Sequence, residues 1–455
     1  MNDLNPEGGW ASLLAYEDKI IIPGKDGHLH RMDVNVGYES SWKYPLDESL
    51  GAIYGSPTIF NDVIYGSAYT CKGTECTGDI FAVNQTNGTS SWGIKSVKYN
   101  SRLIGRVGVT DSMVLFSTGY IFTDGEKSEY PGYFISLDRN SGLMLWRIPL
   151  DGESWTGISV SGNIAYLGTL SGSIYAIDLA DSNLYDSDPS LRILWKYNTD
   201  RAIAGPIFVE SNHIIVGDFG NRIMKILPDA RKDNLDFPTK SEWVFDTKNW
   251  VWAELISDRG VLYAATLSGD IHAIDNLLGT EIWSVNLGDQ VVASPAIFER
   301  ARGDFREKVL AVPSGDKNIS IISVIDGRQL GTLVTRAPIK SSPLIIGETL
   351  YTQNTDGQIL WFSTLDLSER GCIDLEEGQG IWVYADVEYL SSLDIEHCTI
   401  TNGLYYGLSF GGIAEGNIDN CNFINTNFGL KLFDESNVFV TNSIFSNNLT
   451  YGIGL

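Results

Sequence analysis

The sequence predicts an all-β chain built from two repeat architectures. A ring of about eight four-stranded blades spans residues 1–376, and stacked β-helix coils occupy 377–455. Three observations carry this. The phrase SGSIYAID at Ser171–Asp178 returns as SGDIHAID at Ser268–Asp275. A Gly–Asp–Gly–Trp spacing recurs through the first three-quarters of the chain, and after Glu377 a shorter period replaces it.

The first repeat is read from its glycine. Gly27, Gly78, Gly132, Gly172 and Gly269 are each followed six residues later by Asp33, Asn84, Asp138, Asp178 and Asp275. Gly37, Gly88, Gly142 and Gly279 stand four further on, and Trp42, Trp92, Trp146 and Trp283 complete the pattern. In the fourth copy the insertion ADSNLYDSDPSLR displaces Trp195 without removing it. Upstream, Ser56-Pro57, Gly205-Pro206, Ser294-Pro295 and Ser342-Pro343 precede short apolar runs joined by Asn-Asp, Gly-Glu or Ser-Gly-Asn, which is hairpin chemistry. Each copy therefore reads as two hairpin strands, the IYAID strand, an Asp-x-x-x-Gly turn and a Trp-bearing strand. The Asp accepts backbone N–H bonds and the Gly supplies positive φ. A lone blade cannot bury both faces, so the Trp is expected to pack on the next blade. The seventh and eighth copies erode, with Ser323 and Ser363 at the Asp position and Gly331 at one Trp position.

Composition narrows the function classes. The formal net charge of −25, from 32 basic against 57 acidic residues, argues against nucleic acid or an anionic membrane as partner. No apolar run reaches the roughly 18 residues of a membrane-spanning helix, and the N-terminal MNDLNPEGGW has no signal-peptide pattern. Cys71 and Cys76 flank a lengthened hairpin in YTCKGTECTGD. A disulfide there is the favoured reading, two free thiols on a loop the alternative, and a metal site lacks further ligands. Asn84, Asn87, Asn318 and Asn448 begin Asn-x-Ser/Thr triplets, which lean towards an exported protein. The five histidines, including His28 and His30 near Asp26, form no metal-ligand spacing.

The motifs GSIYAIDL, GDIHAIDNLLGTEIW and GYFISLDRNSGLMLW resemble the repeat of the quinoprotein-type (PQQ-like) β-propellers, over about residues 9–376. That superfamily is usually eight-bladed; it includes quinone-dependent alcohol dehydrogenases and outer-membrane assembly scaffolds. The resemblance implies the fold and says little of function. In the dehydrogenases, adjacent cysteines ring the cofactor beside a calcium site and a catalytic Asp. This chain has no Cys-Cys dipeptide, and Cys71 and Cys76 do not match it. Trp42, Trp92, Trp146, Trp195, Trp243 and Trp283 hold the blade position, and the recurring Asp residues are turn formers. No catalytic residue, cofactor or metal is assigned.

One cluster is a candidate ligand site. KNWVWAELI places Trp250 and Trp252 at a strand start near Glu254, a combination that suits sugar or peptide binding. Packing of aromatics between blades is the competing and commoner explanation.

In the tail, Ile395, Ile418 and Val440 coincide, as do Cys398, Cys421 and Ser443, then Ile400, Phe423 and Phe445, then Asn402, Asn425 and Asn447. A fainter copy begins at GIWVYADV. Alternate apolar positions, small residues and corner Asn describe coils stacked in register. The segment resembles the right-handed parallel β-helix of pectate-lyase-like proteins, and Cys398 and Cys421 are expected in a small-residue ladder rather than as a redox pair. The apolar YGIGL end predicts that the natural chain continues.

The fold class is thus an eight-bladed β-propeller followed by the start of a right-handed parallel β-helix. The expected function is a non-catalytic surface or secreted protein, its propeller a protein- or glycan-binding scaffold and its β-helix an arm. A quinone-dependent dehydrogenase and a polysaccharide-acting β-helix protein are the competing readings.

Overall fold

The computed structural model describes residues 10–34, 40–72, 75–123, 126–180, 185, 187–210, 213–227, 241–302, 305–374, 381–385, 392–396, 399–401, 406–412, 414–424, 428–433, 435–446, 448 and 451–454. Eight four-stranded antiparallel sheets follow one another over 14–44, 58–99, 108–150, 159–198, 208–246, 256–286, 296–334 and 344–374. These are blades 1 to 8. Within each, strands pair in sequence order, and the first strands of blades 2 and 3, 3 and 4, 4 and 5, 7 and 8, and 8 and 1 touch around a central channel. The boundary expected at 376/377 lies outside the described residues, as do Gly37, Cys398, Asn402, Asn425 and Asn447.

Each blade buries the alternate side chains of its middle strands against its neighbours, because successive residues point to opposite faces. Met113, Leu115 and Phe134 of blade 3 pack with Ala165, Leu167 and Tyr175 of blade 4. Tyr166, Ile174 and Trp195 of blade 4 meet Ile214, Val216 and Met224 of blade 5.

The outer edge is held by the repeated indole. Trp42, Trp92, Trp243 and Trp283 each donate Nε1–H to a carbonyl of the following blade, that of Gln85, Arg139, Asn276 and Val324, at 2.9–3.1 Å. Each ring also lies beneath the turn glycine of that blade. A Cβ on Gly142 would stand 2.8 Å from Trp92, and one on Gly279 2.5 Å from Trp243. The glycine is needed twice here, for its positive φ and for the space the indole occupies. The expected packing of Trp on the next blade is what the structure contains.

The turn itself works as read. Asp138 Oδ1 accepts from the Ser141 N–H and hydroxyl, and Asp275 Oδ1 from the N–H groups of Leu277 and Leu278. In the eroded copies a hydroxyl does the same: Ser323 Oγ accepts from Ile325 N–H, and Ser363 Oγ from Leu365 N–H. The missing seventh indole is replaced from the other side. Gly331 stands at the Trp register, and Leu367 of blade 8 stands at the turn-glycine position with φ of 65°. A Cβ on Gly331 would meet the Leu367 side chain at 2.8 Å. Large and small residues have exchanged places across that interface.

Ring closure uses no exchanged strand, since blade 1 is built from 14–44 and blade 8 from 344–374. Leu13, Ile20, Ile22 and Met32 instead pack on Tyr351, Ile359 and Trp361. At the inner edge Ser294 N–H donates to Ser342 Oγ, Ser342 N–H to Ser12 Oγ and Ser12 N–H to Ser56 Oγ, at 2.9–3.0 Å. Blades 7, 8, 1 and 2 are thereby linked in series across the seam.

The tail forms three parallel ladders. Ile395 pairs with Ile418 and Ile418 with Val440; Ile400 pairs with Phe423 and Phe423 with Phe445. Ile381–Ala385 pairs in parallel with the strand at Tyr406–Gly412, which places the faint copy in the stack. The Phe423 and Phe445 rings stack at 4.6 Å. One expectation is corrected: Cys421 is disulfide-bonded rather than part of a thiol ladder, its partner lying outside the described side chains.

Trp283→Ala is expected to cost about 3 kcal/mol, read as a lowered midpoint in urea unfolding, because it removes both a packed ring and an inter-blade hydrogen bond. The Asp138 turn adds a pH test. Hydrogen bonds from the Ser141 side chain and backbone hold its carboxyl below the usual range. A lowered folded-state value stabilises above the unfolded value of about 3.9 and is lost as pH falls through the folded one. The destabilisation caused by Asp138→Ala should therefore be present at pH 6 and shrink as unfolding is measured at successively lower pH beneath 4.

Candidate functional site

The residues leading into each innermost strand line one mouth of the channel. In KNWVWAELI burial alternates from Trp250 onward. Val251, Ala253 and Leu255 are buried among the blades, whereas Trp250, Trp252 and Glu254 are not. The residues at the place of Trp252 in the other blades, four before the first paired residue, are Trp10, Tyr54, Ile104, Trp155, Ala204, Val292 and Lys340.

Three of these tryptophans meet although their blades are not adjacent. Trp252 of blade 6 lies 5.8 Å from Trp155 of blade 4 and 6.4 Å from Trp10 of blade 1, ring centre to ring centre. Side chains from blades 1, 4 and 6 make contact only by converging on the axis. The Trp10 ring also contacts Tyr54 at 5.6 Å and carries the Lys340 ammonium 4.0 Å above it. Tyr54 stacks on Tyr69 at 5.3 Å. Burial first, and then Tyr54 beside it, push the Tyr69 phenol well above its ordinary value, so it is neutral at any physiological pH.

One step further along the channel, Arg106 of blade 3 pairs with Glu254 of blade 6 at 3.5 Å. This bond also spans the channel. The charge of Glu254 is thus already matched, and its side chain braces the ring from within. Small residues make the approach feasible: a Cβ on Gly55 would fall 2.5 Å from Gly105 O, and one on Gly105 2.5 Å from Gly157 N.

Trp250 is different. It is 47% exposed and stacks flat on Phe219 of blade 5, with centroids 4.7 Å apart and planes 7° from parallel. Phe219 in turn touches Trp252 at 5.7 Å. The result is an open aromatic platform beside a closed axial cluster. Two insertions rise on the same face: the blade 2 hairpin, where Cys71 and Cys76 form a disulfide, and the blade 3 segment carrying Tyr120 and Tyr130.

The structure therefore brings Trp250, Trp252 and Glu254 to one site but gives them separate tasks. Sequence reasoning missed Trp10, Tyr54, Trp155, Arg106 and Lys340. A signal existed: Tyr54 and Lys340 each stand two residues before a Ser that precedes Pro, in YGSP and KSSP. The described histidines lie elsewhere. His28 Nδ1 and His30 Nε2 both approach Asp26 Oδ2, at 3.1 and 3.0 Å. Among the described residues no group of three or more His, Cys, Asp or Glu could hold a metal ion.

Residues 76–229 and 243–382 match the family model described as outer membrane protein assembly factor BamB. The chain belongs to that family. A second model, the right handed beta helix region, matches residues 340–455. Among solved structures, BamB from Moraxella catarrhalis is similar with a TM-score of 0.55 at 16% identity, over 78% of this chain and 96% of that one. The computationally designed Ika8 protein is similar with a TM-score of 0.58 at 12% identity, over 79% of this chain and 98% of that one. At such identities the likeness concerns fold. No curated protein matches the chain.

The quinone cofactor suggested by the PQQ-like repeat does not fit this mouth. A flat anionic ring system needs an open slot and uncommitted cations. Here the axial indoles touch one another, Arg106 is matched by Glu254, and the Cys71–Cys76 pair staples a hairpin tip.

Trp252→Ala should remove the strong near-ultraviolet circular dichroism that three coupled indoles produce. It should also lower the unfolding free energy by about 3 kcal/mol. Arg106→Ala should cost only about 1 kcal/mol or less in the same measurement, because the pair is partly solvated.

Proposed function

We propose that the chain is a non-catalytic, exported binding scaffold whose propeller presents the channel-mouth face to a protein or glycan partner, with the β-helix as an arm. The observation that carries this reading is the Trp250–Phe219 platform. A large indole is left half in water, on a rigid backing ring, beside an axis sealed by other aromatics. Exposed aromatics with a fixed orientation contribute contact area at low entropic cost.

The non-catalytic part rests on how the repeated groups are employed. The turn carboxylates accept backbone N–H bonds, and the blade indoles wedge neighbouring blades. Export is supported by the Cys71–Cys76 and Cys421 disulfides, since such bonds persist in oxidising compartments. The family's description as an outer membrane assembly factor points the same way. Among the described residues, no helix is long and apolar enough to cross a membrane.

The test is a glycan array and a proximity-labelling experiment with the wild-type chain, each repeated with Trp250→Ala. Binding of either partner class should fall at least tenfold in the variant, while the unfolding midpoint falls only slightly because half of the side chain is already in water. Binding equal in both proteins would remove the platform from the interface. Dye reduction on adding pyrroloquinoline quinone and calcium, or release of shortened sugars, would instead make the protein an enzyme.

A further inference from the structure

Four Asn-x-Ser/Thr triplets occur in the chain, and the fold treats them very differently. Asn318 opens a strand of blade 7, its Nδ2 donates to Asp316 O, and its hydroxyl residue Ser320 is only 4% exposed. Asn448 donates Nδ2 to Phe423 O in the β-helix. Asn84 ends a strand of blade 2, half-buried, and its Oδ1 holds the following turn by accepting from Thr86 N–H and Asn87 N–H. It is the Asn form of the turn carboxylate found in other blades.

Asn87 is the exception. It is exposed at the tip of that turn, and both Thr89 N–H and Thr89 Oγ1–H donate to its Oδ1, at 3.1 and 2.7 Å. The hydroxyl of the triplet is thus already seated on the carboxamide oxygen. The Nδ2 takes part in no hydrogen bond among the described residues and is free to react. Gly88 between them has φ of 68°, which leaves the turn without a side chain on the Trp42 side.

We infer that Asn87 is an N-glycosylation acceptor, taking an oligosaccharide from a lipid-diphosphate donor when the chain is exported. In the transfer, Asn87 Nδ2 forms a bond to sugar C1 and loses one proton, which passes through a base of the transferring enzyme to solvent. The bond from C1 to the diphosphate oxygen breaks, and the lipid diphosphate leaves with that electron pair. Thr89 orients the carboxamide and is a positioning residue. The product is compatible with the fold, since the sugar extends from an exposed turn and disturbs no ladder bond. A sugar on Asn318 or Asn448 would instead compete with an existing Nδ2 bond. The turn lies at the opposite end of its strand from the Cys71–Cys76 tip, so a glycan there would leave the channel mouth uncovered.

The experiment secretes the full chain, behind an added leader, from a yeast that performs N-glycosylation. Glycosidase release in heavy-oxygen water followed by peptide mass mapping then reads each site. Asn87 should be occupied in the folded, secreted wild type. The glycan should be absent from N87Q and T89V and retained in T89S. Near-ultraviolet circular dichroism checks that the variants fold, and the wild-type map decides the matter alone should N87Q fail to fold. Folded wild type unmodified at Asn87, or one carrying its glycan at Asn318 or Asn448 instead, overturns the proposal. Because the leader forces export, this result is independent of where the native protein resides and of what its platform binds.

Discussion

Close approach of blade to blade is the constraint on which everything else in this protein rests. An isolated four-stranded sheet has two apolar faces and cannot bury either one. In the ring each face is covered by the next sheet, but only if the backbones come near enough, and that requires small residues at two radii. Near the channel Gly55 and Gly105 lie against the neighbouring main chain. At the rim the turn glycines Gly142 and Gly279 lie over the indoles of Trp92 and Trp243. An indole that packs a face and also donates to a carbonyl fixes both the distance and the register of two blades.

The interface tolerates exchange as long as volume is conserved. Between blades 7 and 8 the indole has become Gly331 and the turn glycine has become Leu367, so the leucine reaches across into the vacated space. Its positive φ costs something in a branched residue, and the packing offsets it. The turn likewise survives replacement of the carboxylate by Ser323 or Ser363, because what the backbone N–H groups need is an oxygen acceptor at the right place.

A ring of equivalent blades creates one place where symmetry can be broken at little cost to stability: the channel and its mouth. Side chains there have no counterpart blade to satisfy. Trp10, Trp155 and Trp252 close the axis, Arg106 and Glu254 brace it, and Trp250 is left as an open surface. Blades 2 and 3 add insertions on the same face. Asymmetry concentrated at the mouth of a symmetric scaffold is where recognition is best sited, since loops and rims vary without disturbing the core.

The chain alone determined the two architectures, the blade count, the turn chemistry and the role of the repeated Trp, because each depends on residues within one repeat and their spacing. The in-register stacking of Ile395, Ile418 and Val440 was legible for the same reason. Trp250, Trp252 and Glu254 were found as a local cluster, yet their separate roles were not. Tertiary structure alone decided that Glu254 pairs with Arg106, that Trp252 meets Trp10 and Trp155, and that Cys421 is disulfide-bonded. It also decided that the ring closes by packing Leu13 and Ile22 on Tyr351 and Trp361 rather than by exchanging a strand. The physical reason is common to all of these. Contacts across a channel or a seam join residues far apart in the chain, and no local period records which opposite blade a side chain will meet.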